Sequence, residues 1–159
     1  MLHFDGKNEK KDFDLIEEGK YEVVLNAEWR KTGNGELYIN CAFRIRKDVE
    51  QKNAGRLVFD GIYKSKKSGE YSKLKIDGIL STIENAKCDF ESYDELIQYI
   101  NGRNMIITIE TQKADPSYPN SKDKSVVKYL SYEPTKNPTT DGVKEAENLP
   151  DIDESELPF

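Results

Sequence analysis

At 159 residues, with 36% hydrophobic and 34% charged side chains, the chain has material for one small core and flexible ends. Its net charge of -6 is unevenly spread: residues 133–159 hold eight acids and two lysines, while Lys20 to Lys75 carries thirteen Lys/Arg against seven Asp/Glu. No apolar run approaches the roughly 18 residues of a membrane span, and Met1-Leu2-His3-Phe4-Asp5 lacks the charged-then-apolar pattern of an export signal, so a cytoplasmic protein is expected.

The first fourteen residues are polar and lysine-rich, with an edge segment at Leu2 and Phe4 as their only pattern. From Gly19 a period of two begins. Tyr21, Val23, Leu25, Ala27 and Trp29 alternate with Glu22, Val24, Asn26, Glu28 and Arg30, the signature of a strand with one buried face. Thr32-Gly33-Asn34-Gly35 supplies turn residues, and alternation resumes with Leu37, Ile39, Cys41, Phe43 and Ile45, so a long hairpin is predicted. Arg56 to Tyr63 reads as a third strand, with Gly61 marking a bulge.

Ser65 to Glu70 is a lysine-rich loop. Ile76, Ile79, Leu80 and Ile83 then fall at helical spacing and place an amphipathic helix at about Ser72 to Ala86. Ser92 and Glu95 stand in capping-box positions for a second, short helix ending before Gly102. A fourth strand follows at Met105 to Glu110. A turn-rich stretch from Asp115 to Asn120 leads to a last strand at about Ser125 to Tyr132, and from Glu133 prolines and acids end the globular pattern.

Five strands with helical material between the third and fourth is the element order of an OB-fold, a mainly β five-stranded barrel with a helical insert. A five-stranded sheet with one helical face gives the same string. The expected division is a leader over residues 1–14, a domain over 15–132 and a disordered acidic tail over 133–159.

Catalysis finds little support, because the single histidine is His3 and no triad can be built around it. Asp12, Asp14, Glu18 and Lys20 superficially resemble a metal-dependent nuclease cluster, yet they crowd into one stretch rather than spreading over separate strand ends. Cys41 and Cys88 lack CxxC spacing or a neighbouring histidine, so no zinc site is expected and both read as buried free thiols.

The productive pattern is the interleaving of aromatic and basic residues. Tyr38, Arg44 and Arg46 are assigned to the polar face of the second strand, Trp29, Arg30 and Lys31 flank the hairpin turn, and Tyr63, Lys64, Lys66, Lys67, Tyr71 and Lys73 gather around the end of the third strand. Single-stranded nucleic acid suits this mixture, since bases stack on aromatic faces while cations track phosphates. Trp29 shares the phase of Tyr21, Val23 and Leu25, so it is equally suited to plugging the end of a barrel.

The chain ends in Asp151-Ile152-Asp153-Glu154-Ser155-Glu156-Leu157-Pro158-Phe159. The four acids solubilise, but exposed Leu157 and Phe159 beside a free carboxylate add an anchor that solubility does not require. An acidic run closing in apolar-Pro-Phe resembles the C-terminal tip of bacterial-type single-stranded DNA-binding proteins. Leu15-Ile16-Glu17-Glu18-Gly19-Lys20-Tyr21-Glu22-Val23, leading into a Gly-Asn-Gly hairpin, resembles the phage-encoded branch of those proteins in phages of Gram-positive bacteria.

The resemblance implies an OB-fold protein without catalysis or cofactor that coats single-stranded DNA during phage replication and recombination. Glu156-Leu157-Pro158-Phe159 would then be the recruiting core for helicases, recombination mediators and repair proteins, with Asp151, Asp153 and Glu154 as its acidic run. Ile152 and Ser155 interrupt that run. Bacterial members are oligomeric and phage members vary, which leaves a homo-oligomer open. A strand-annealing mediator and a metal-dependent nuclease are the alternative functions.

Overall fold

The computed structural model describes Leu2 and residues 15–138, so most of the expected leader and the acidic tip lie outside the described residues. A long strand, β1 (Gly19–Lys31), serves two neighbours. It pairs antiparallel with β2 (Leu37–Ile45) from Val23 opposite Ile45 to Lys31 opposite Leu37. Its first six residues pair with β4 (Asn104–Gln112), from Gly19 opposite Ile109 to Val24 opposite Asn104. β3 (Leu57–Ile62) extends the sheet beyond β2, and β5 (Lys124–Val127) extends it beyond β4.

The resulting order is β3-β2-β1-β4-β5, with the two-residue β6 (Glu133–Pro134) also on β4, and every pairing is antiparallel. The sheet's two ends face each other across one groove, whose walls include Val58 to Gly61 of β3 and Lys124 to Val126 of β5. No hydrogen-bonded ladder joins β3 to β5 among the described residues, so in place of the expected five-stranded barrel there is an open six-stranded sheet.

Alternation places the core on the inner face. Val23, Leu25 and Ala27 of β1, Ile39, Cys41, Phe43 and Ile45 of β2, and Met105, Ile107 and Ile109 of β4 are all buried. Two helices cap them. α1 (Lys73–Leu80) contributes Ile79 and Leu80, and α2 (Tyr93–Ile100) contributes Leu96, Ile97 and Ile100.

Each helix starts at its predicted serine, whose hydroxyl accepts the amide three residues on: Ser72 from Lys75 and Ser92 from Glu95. α2 ends as read, with Gly102 in the left-handed region at φ 80° and its N–H returning to the carbonyl of Leu25. α1 ends six residues before the expected Ala86. The hydroxyls of Ser81 and Thr82 donate to the carbonyls of Gly78 and Ile79, and Asn85 turns the chain at φ 54°.

Two further expectations are corrected. The register of β2 on β3 runs unbroken through Asn40 opposite Gly61, so Gly61 is not a bulge. The last strand is interrupted after Val127 by Leu130 at φ 54°, which turns Tyr132 into the core beside Phe43 at a ring distance of 6.1 Å. An added Cβ on Gly78 would lie 2.8 Å from the Tyr132 ring, so the glycine in α1 that weakens the helix is what admits this ring. Tyr132 also donates its hydroxyl to Asp60, and burial first, then Asp60, raises its pKa.

The two cysteines part company. Cys41 is buried on the inner face, where desolvation pushes its thiol up to about 12. Cys88 is exposed, in the connection between α1 and α2, contrary to expectation. In native protein a disulfide reagent such as Ellman's should therefore titrate one thiol quickly, with the second appearing only on unfolding. Rapid reaction of both would contradict the burial of Cys41.

Candidate functional site

The outer face of β1, β2 and β3 gathers part of the predicted set. Tyr38 stands directly opposite Arg30 in the β1–β2 register. Tyr63, just past β3, lies flat on Tyr38 with ring centroids 4.9 Å apart and planes 20° from parallel. Tyr38 is 5% exposed beneath it, whereas Tyr63 is 54% exposed, so the free aromatic surface belongs to Tyr63. Burial first and then the neighbouring Tyr63 raise the Tyr38 hydroxyl's pKa.

Gly61 explains the posture of that ring. A Cβ there would fall 2.4 Å from the Tyr63 ring, so the absence of a side chain is what lets Tyr63 fold back over β3. Gly61→Ala should leave the fold intact but lift Tyr63 from Tyr38. Any ligand that stacks on Tyr63 should then bind less tightly, as read by titration beside a far-ultraviolet circular dichroism spectrum unchanged from wild type.

Beyond Tyr63 the chain forms a small hairpin closed by the bridge of Lys64 with Tyr71, which holds Lys66 and Lys67 exposed at its tip. Lys31 and Lys73 are also exposed, at the end of β1 and the start of α1. Arg30 pairs with Glu28 on the same strand, and Arg44 donates to the carbonyl of Gly55 at 2.8 Å.

Three predicted residues have other employment. Trp29 is on the inner side, its indole N–H donating to Asp94 at 2.6 Å and its ring edge-on to Tyr71 at 5.4 Å. Tyr71 donates its hydroxyl to the carbonyl of Leu37 and packs against Tyr93, so these rings plug the end of the sheet between β1, the lysine hairpin and α2.

Arg46 is 1% exposed and does not reach the outer face. Its guanidinium binds Asp48 at 2.6 and 2.9 Å, lies 3.5 Å from the carboxylate of Glu22, and donates to the carbonyl of Asn137 at 2.8 Å. Glu22, 7% exposed, accepts from the hydroxyl of Thr135, the backbone N–H of Lys136 and the amide of Asn137. Gln51 completes the cluster by donating to the carbonyls of Glu22 and Arg46. The bond from Arg46 holds the Asp48 carboxyl below its usual range. Residues 133–137, read as the start of a tail, are thus buckled to the body.

Two residues of the nuclease-like set are described, and both are engaged elsewhere. Glu18 accepts from the backbone N–H of Thr111, Lys20 pairs with Glu133 at 3.0 Å, and Asp12 and Asp14 lie outside the described residues.

Sequence reading missed the groove beside Tyr63. About 450 Å³ in volume, it runs between the edges of β3 and β5, with Tyr38, Asn40, Phe59, Tyr63 and Lys124 in its walls. Outside the walls of that groove, the connection from β4 to β5 exposes Tyr118, Lys113 and Lys122. Phe59, Gly61 and Tyr63 at alternate positions were the available signal for one wall; nothing local announces that β5 forms the other.

Residues 2–134 match the family described as protein of unknown function, DUF669. The chain belongs to that family. No curated protein matches it. Among the described residues no helix is long and apolar enough to cross a membrane, and no group of three His, Cys, Asp or Glu side chains is placed to hold a metal ion.

Proposed function

We propose that this member of the DUF669 family binds single-stranded DNA with little overall sequence preference and serves replication or recombination as a coat protein rather than an enzyme. One observation carries the reading: an exposed tyrosine held flat on a second tyrosine, at the lip of a groove and next to a hairpin tipped with lysines. A flat, seated ring is a platform for a base, and adjacent lysines suit the phosphates. The strand order supports an OB-fold opened between β3 and β5, a class that binds oligonucleotides on its second and third strands and the loops beside them.

In this reading Arg30, Tyr38, Arg44, Tyr63, Lys64, Lys66 and Lys67 form the strand-binding face, with Lys31 and Lys73 at its margins. Trp29, Tyr71 and Arg46 hold the scaffold. The acidic tip from Asp151 to Phe159 recruits replication and recombination enzymes, with Leu157 and Phe159 as anchors. A homo-oligomer is compatible with this arrangement.

The test is anisotropy of labelled oligothymidylate against a duplex of equal length, because Trp29 points inward and is a poor reporter. Salt-sensitive binding to the single strand in preference to the duplex is expected. Equal affinity for both would overturn the proposal.

A further inference from the structure

The groove between β3 and β5 contains a polar group that the described fold leaves unused. Asn40 is 3% exposed, and its amide nitrogen Nδ2 is buried without a hydrogen-bond partner among the described residues. An N–H hidden from both water and acceptors is costly, so such a group asks for an explanation. Its position supplies one. Asn40 lies directly opposite Gly61, the residue whose missing side chain leaves room for the Tyr63 ring, and both line the groove. The unused donor therefore sits beside the aromatic platform.

Three features decide what can reach it. The volume of about 450 Å³ falls within the roughly 300–1,000 Å³ of small-ligand sites. Tyr63 and Phe59 offer ring surface. Asp60 and Asp123 are already engaged by Lys75 and Lys113, and Lys124 in the same walls can meet a backbone phosphate, so the ring surface is what a base occupies. An unpaired N–H calls for a carbonyl. Thymine and guanine present one, O4 or O6, at the edge where cytosine and adenine carry an amino group.

We infer that this groove is a base-reading subsite selective for keto bases, in which Asn40 Nδ2 donates to O4 of thymine or uracil, or to O6 of guanine. It rests on the reading that the face binds single strands, and it adds local selectivity to a protein whose remaining contacts are sequence-tolerant. An amino base would set donor against donor and leave the asparagine unsatisfied.

The experiment compares short oligodeoxyuridylate with oligodeoxycytidylate, which share ring size, lack the thymine methyl and differ at the decisive edge. Wild-type protein should bind the uridylate about threefold or more tightly, and Asn40→Leu should bring the ratio close to one by weakening uridylate binding while leaving cytidylate binding as it was. A second readout needs no mutation: the side-chain amide resonance of Asn40 in ¹⁵N-labelled protein should move with the uridylate and stay put with the cytidylate. A wild-type ratio of one, a ratio unchanged in Asn40→Leu, or equal movement with both oligonucleotides overturns the subsite while single-strand binding stands. Failure of wild type to bind either oligonucleotide overturns both readings.

Discussion

Arg46→Ala will destabilise the fold by about 3–5 kcal/mol, the range for removing one partner of a buried ion pair. The substitution strips Glu22 of its cation while that carboxylate remains 7% exposed, and it frees Asp48 and the carbonyl of Asn137 at the same time. Urea unfolding should show the loss as a lower midpoint at an unchanged slope. Arg46→Met combined with Glu22→Gln should cost much less, because glutamine can still accept from Thr135 and Lys136 while no buried charge is left alone. The folded variant should bind single strands like wild type. A tenfold loss of affinity in fully folded Arg46→Ala would return this residue to the strand-binding face.

The same residue shows where sequence reading reaches its limit. Strand alternation is local, so Val23, Leu25, Ala27, Ile39, Cys41, Phe43 and Ile45 are legible as inward-facing from the sequence alone. The serine caps of both helices were equally local, each a hydroxyl three residues from the amide it receives. Arg46 looked like one more outward cation on β2. Asp48, two residues on, is a local partner, but the others are Glu22, on another strand, and Thr135 and Asn137, about ninety residues downstream, and no spacing rule connects these to Arg46. Tyr71 was misassigned for the same reason, since the Leu37 carbonyl recruits it from a distant segment, whereas the phase of Trp29 had already offered the inward placement that its bond to Asp94 fixes. Tyr38 and Tyr63 were both singled out, but their stacking depends on Gly61 leaving room for the Tyr63 ring, a condition legible only once β3 is registered on β2.

Tyr63→Ala should weaken single-strand binding about 5- to 150-fold, equivalent to about 1–3 kcal/mol, the range for losing one base-stacking ring. The prediction falls on Tyr63 rather than Tyr38 because 54% of the former is exposed and only 5% of the latter. Tyr38 acts as the seat, so Tyr38→Leu should cost less, and Tyr63→Phe should retain most affinity because the ring, not the hydroxyl, does the stacking. Salt separates the ring from the cations. Tyr63→Ala removes no charge and should leave the slope of log affinity against log salt unchanged, whereas Lys66→Ala with Lys67→Ala should flatten it by about 1.4 if both lysines neutralise phosphates. Full affinity in Tyr63→Ala would remove the platform from the mechanism. An altered salt slope in that variant would mean that the ring positions the lysine hairpin, which begins at the next residue, Lys64, rather than meeting a base itself.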